Sequence, residues 1–171
     1  HYAMLSGVKF PTGVDDRKNN EGEELEAVEQ PGSGSYDFTT GFAYSRWLTK
    51  DWTMDTSIQY ILRTEGVGDF KIGERVDWSF ATAYQIIPRN KYRNFAPVGE
   101  INTRYLFRDK QNGSDERNSG GTAVFLSPGV RAGIISHFGI GTSVSFPVFQ
   151  NLLGEQQETD YKVIVGVSYS F

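Results

Sequence analysis

Apolar and polar residues alternate along most of this chain with period two, the signature of strands with one face in each environment. Seven runs carry the pattern. In 36–45, Tyr36, Phe38, Thr40, Phe42 and Tyr44 oppose Asp37, Thr39, Gly41, Ala43 and Ser45. The run 52–63 sets Trp52, Met54, Ile58, Tyr60 and Leu62 against Thr53, Asp55, Ser57, Gln59 and Arg63. Further runs cover 75–86, 95–107, 123–135, 141–148 and 161–171, and a short one at 3–10 makes an eighth strand. No helical period competes with them.

The two faces differ in charge. Asp, Glu, Lys and Arg make up 22% of the chain, yet none falls on the apolar face of the seven runs. The opposite faces carry Asp37, Asp55, Arg63, Arg75, Asp77, Glu100, Arg104, Arg131 and Lys162, with Lys9 added by the first strand. A charge at the bilayer midplane costs roughly 2–4 kcal/mol on the lipid face of a barrel, whereas the lumen is wet. The pattern therefore predicts an all-β fold: a transmembrane, antiparallel, up-and-down β-barrel of about eight strands in one domain over 1–171, its C-terminal strand closing the wall.

The connections alternate in length. Long polar segments at 11–34, 65–74, 109–121 and 149–159 read as external loops; 49–51, 88–94 and 136–139 read as short periplasmic turns. Aromatics sit near strand ends, as at Trp52, Tyr84 and Phe107, where amphipathic rings prefer the membrane interface. A water-soluble sandwich or lipocalin-like barrel is disfavoured. Its outer face would not be Gly, Ser and Ala with few Lys or Glu, and its interior would not hold so many large aromatics.

Composition narrows the function. The net charge is −4 with no basic cluster, against nucleic-acid binding. There is no cysteine, hence no disulfide, thiolate metal site or Cys nucleophile. No apolar run is long enough for a membrane-spanning helix. Only His1 and His137 are available, so no Ser–His–Asp wall site can be assembled, and His137 reads as a turn residue. We expect no enzymatic activity, no cofactor and no metal. The acidic stretch with Asp15, Asp16, Glu21, Glu23, Glu24, Glu26 and Glu29 could bind Ca²⁺ or bridge to lipopolysaccharide, but its spacing is irregular and a solvated loop is the preferred reading. Asn112-Gly113-Ser114 reads as a turn.

Two stretches resemble known families. The ending Gly166-Val167-Ser168-Tyr169-Ser170-Phe171 is similar to the C-terminal signal of bacterial outer-membrane proteins, which implies recognition of Gly166, Tyr169 and Phe171 by the barrel-assembly machinery. Gly7-Val8-Lys9-Phe10-Pro11-Thr12-Gly13, followed by Gln30-Pro31-Gly32-Ser33-Gly34-Ser35, resembles the outer-membrane family labelled the meta-pathway of phenol degradation, over most of the chain. That resemblance implies transport of small, hydrophobic or aromatic solutes. In that family the Pro-Thr-Gly strand lies mid-chain, so the chain is expected to be a C-terminal portion of a barrel on the order of twelve strands. Eight strands alone would enclose a lumen filled by side chains.

Two functions stay open at this stage. One is a passive outer-membrane channel shaped by the lumen charges. The other is a structural or interaction barrel whose wall or loops bind lipopolysaccharide or another envelope protein. Outer-membrane lipid is a partner in both. Glu100 and Arg104, four residues apart on one face, are candidates for facing charges at a constriction. Positive and negative lumen charges are nearly balanced, which predicts no strong ion selectivity.

Overall fold

The computed structural model describes residues 1–19, 22, 25, 29–87, 94–135 and 137–169. Eight strands form one antiparallel sheet: β1 (Tyr2–Lys9), β2 (Asp37–Trp47), β3 (Trp52–Arg63), β5 (Arg75–Tyr84), β6 (Asn94–Leu106), β9 (Gly121–Ile135), β10 (Phe138–Leu152) and β11 (Lys162–Tyr169). Each pairs with its predecessor and successor in this list, the order of an up-and-down meander. The all-β antiparallel architecture is as expected. Closure is not made by these strands: among the described residues β1 pairs only with β2 and β11 only with β10, so the C-terminal strand is an edge.

Which face is exposed is settled by the alternation. Phe42, Ile58 and Trp78 are register partners across β2, β3 and β5, and each keeps 41–49% of its surface exposed. Tyr105, Leu126 and Phe146 continue the apolar face, all more than 40% exposed. Among the described residues the side chain that is fully buried is a serine, Ser127, 1% exposed. Large apolar groups outside and hydroxyls inside invert the order of a water-soluble protein.

The loop end holds more structure than the pattern indicates. Within 65–74 and 109–121 lie β4 (Phe70–Lys71), β7 (Lys110–Gln111) and β8 (Ser114–Asp115), which form a separate three-stranded sheet. Asn112 and Gly113 both have positive φ, 50° and 76°, as a two-residue type I′ hairpin turn demands. These strands are too short to show a period, so both segments read as plain loops.

The sixth run is longer than 141–148, and the connections beside it are shorter than 136–139 and 149–159, because β10 spans Phe138–Leu152. Its register shifts between Pro147 and Phe149, a bulge that leaves Val148 and Phe149 both facing outward, 62% and 52% exposed. A strand proline has no N–H for the ladder and is tolerated at such a bulge. The slip breaks the alternation and hides the strand's second half. Pro128 also lacks a ladder N–H: the β9–β10 pairing skips Ser127 and Pro128, here without a change of register.

Candidate functional site

The polar face of the sheet carries the charges, and register sorts them into two tiers. Nearer the long loops, Asp37 is met by three side chains. Lys9 Nζ lies 3.1 Å from Asp37 Oδ2, Arg63 Nε lies 3.6 Å from the same oxygen, and Ser35 Oγ donates to Oδ1 at 2.9 Å. Lys9 Nζ also donates to Ser33 Oγ at 2.8 Å and to Ser35 Oγ at 3.4 Å. Thus Lys9 of the first motif is tied to Ser33 and Ser35 of the second. Their backbones touch as well: a Cβ on Gly32 would fall 2.7 Å from the carbonyl of Gly13, so only glycine permits the approach. The two stretches that carry the family resemblance form one clamp at the mouth of the sheet.

Asp77 is the second shared carboxylate. Arg75 Nε lies 2.7 Å from its Oδ2, and Arg104 Nε donates to Oδ1 at 2.9 Å. Lys162 has no carboxylate partner among the described residues; its Nζ sits 3.9 Å from the centroid of the Phe125 ring, a cation–π contact. At the other tier, toward the short turns, Ser45 Oγ donates to Asp55, and Arg131 Nη2 lies 3.7 Å from Glu100 Oε1. A cleft of about 460 Å³ opens there, lined by Ser45, Asp55, Asn94, Ala96 and Arg131 among others.

Between the tiers runs a neutral belt that sequence reasoning missed. Ser79 and Asn102 share a hydrogen bond at 2.8 Å, Asn102 Nδ2 donates to Ser127 Oγ at 3.4 Å, and Ser127 Oγ donates to Ser145 Oγ at 2.7 Å. The belt crosses β5, β6, β9 and β10. Alternation puts all four on the polar face; only register aligns them.

All ten charged candidates thus lie on the polar side of the sheet, but Glu100 and Arg104 do not face each other. Each has a cross-strand partner instead, Arg131 and Asp77. Of the C-terminal signal, Gly166 pairs with Gly141 and Tyr169 with Phe138 on the exposed edge strand β11; Phe171 lies outside the described residues. So do Glu21, Glu23, Glu24 and Glu26 of the acidic stretch. Among the described residues no group of three or more His, Asp or Glu could hold a metal ion. His137 occupies the β9–β10 turn, its ring 6.4 Å from that of Tyr169.

At the loop rim, Glu74 receives the Tyr60 hydroxyl and Lys71 Nζ, the latter at 2.9 Å. These contacts, the Tyr60 hydrogen bond foremost, hold its carboxyl below the usual carboxylate range.

No curated protein and no solved structure matches the chain. A family model described as "Putative MetA-pathway of phenol degradation" matches residues 1–169. With the clamp motifs and the terminal strand inside that span, the chain belongs to this family of phenol-degradation-related proteins.

Proposed function

We propose that these strands are wall of an outer-membrane channel through which small solutes pass passively, hydrophobic and phenolic ones foremost, with no catalytic step. The carrying observation is the inverted distribution of polarity: exposed Phe42, Ile58 and Trp78 on one face, buried Ser127 and paired charges on the other. Lipid would cover the first face and water the second. The family name, which refers to phenol degradation, supports this solute class. Barrel-assembly machinery would read β11 as the incoming edge, because its backbone on that side is free to pair.

The test is to extract the intact protein from outer membranes and insert it into planar lipid bilayers. Stepwise conductance, together with phenol entry into proteoliposomes faster than into protein-free vesicles, is the expected result. Folded, inserted protein that stays electrically silent and admits no phenol would overturn the channel reading.

A further inference from the structure

Counted over the whole polar face, the charges nearly cancel. Their placement does not. The loop-side tier contains four cations, Lys9, Arg63, Arg75 and Arg104, against two strand carboxylates, Asp37 and Asp77, and a fifth cation, Lys162, stands beside Ser145 at the edge of the belt. Each carboxylate is shared by two of the cations. The Nε atoms of Arg63 and Arg75 are buried without a well-aligned hydrogen bond. Lys162 is covered by a ring rather than an anion, and that ring, Phe125, pairs in register with Asn102, two residues from Arg104 on the same face of β6. Two acids of the loop rim are held in local contacts. Glu74 is bound by Lys71 and Tyr60, and Asp109 accepts from the Gly73 N–H at 2.6 Å. The compensating acids of the strands, Asp55 and Glu100, belong to the far tier, beyond the neutral belt. Glu100 is four residues from Arg104, about 13 Å along the strand, more than a Debye length in physiological salt.

We propose that Arg104 and Lys162, with Phe125 beneath the lysine, form a subsite for small organic anions, carboxylates above all, and that it makes the channel anion-selective. The inference rests on the channel reading. A guanidinium offers paired N–H donors to a carboxylate, and the ammonium adds a point charge. Phe125, 7% exposed, lies under the ammonium and holds it in place through the cation–π contact. An excess of cations over carboxylates along a narrow aqueous passage raises the local concentration of anions and repels cations.

The experiment is the reversal potential of single channels of the intact protein under a tenfold potassium chloride gradient, repeated with potassium acetate and potassium benzoate. Anion permeability is expected to exceed potassium permeability about threefold or more for each salt. Lys162→Gln, which breaks no ion pair among the described residues, is expected to bring the ratio at least halfway to unity, and Arg104→Gln with Lys162→Gln closer still. Lys110→Gln in the loop sheet is expected to leave it unchanged. Conducting channels that are unselective or cation-preferring, or whose ratio ignores Lys162 and Arg104, overturn the subsite while the channel stands. Inserted protein that never conducts overturns both.

Discussion

Ile58→Arg and Ser57→Arg are adjacent substitutions in β3 with opposite expected outcomes. Ile58 is 49% exposed on the aromatic face, between Phe42 and Trp78 in register. Ser57 points the other way, beside Ala43 and Ser79. Ile58 lies mid-strand in Trp52–Arg63. Five or six residues on either side, at about 3.3 Å each and tilted about 40°, place it roughly 13–15 Å from both ends, near the middle of a ~25 Å apolar band. An arginine there cannot reach either interface without distortion, so the cost should be close to the full midplane value of about 2–4 kcal/mol. That is roughly a 30- to 800-fold loss in the folded-to-unfolded ratio. The arginine at 57 meets small polar neighbours and water, and should cost less than about 0.5 kcal/mol. Reversible guanidinium unfolding in lipid vesicles, followed by tryptophan fluorescence, measures both. If Ser57→Arg proved the costly change and Ile58→Arg the silent one, the face assignment would be reversed and the protein would be a water-soluble barrel.

Two further outcomes follow from the loop end. Asp37→Ala strands Arg63, 13% exposed, and removes the Ser35 hydrogen bond; the partly exposed Lys9 pair adds little, so about 2 kcal/mol of stability should be lost, whereas Asp115→Ala, whose pair at 4.0 Å is largely exposed, should read as neutral by the same unfolding assay. Because Glu74 titrates below the usual carboxylate range in the folded protein, its contribution is complete above the ordinary glutamate value and is lost as the pH falls through the depressed one. Carbonyl-carbon NMR of Glu74 should show the titration move upward in Tyr60→Phe; an unmoved midpoint would deny the hydroxyl that role.

The faces, the eight strands of the large sheet and the Asn112-Gly113 turn are legible in the sequence because each depends on neighbours one or two positions apart. Partner choice is not. Glu100 and Arg104 look like a pair on paper, but on a strand four residues span about 13 Å, while a cross-strand neighbour stands about 5 Å away, so Asp77 wins Arg104. The second half of β10 was hidden because Pro147 and its bulge turn two consecutive apolar residues to the same side. β4, β7 and β8 are two residues each, too short for any period. The Ser79–Asn102–Ser127–Ser145 belt needs three registers at once, none of which the alternation specifies.

The two free edges of the sheet carry a rule of parity. Eight strands alternate in direction, so β1 and β11 run opposite ways and both begin or end, at Tyr2 and Tyr169, beside the short turns. Antiparallel pairing can join them directly or through two, four or any even number of intervening strands. An odd number would force one parallel seam. Any segment or second copy that closes this sheet into a cylinder must therefore both enter and leave on the side of the short turns, and the long loops, with the cationic tier beneath them, all crowd the same mouth.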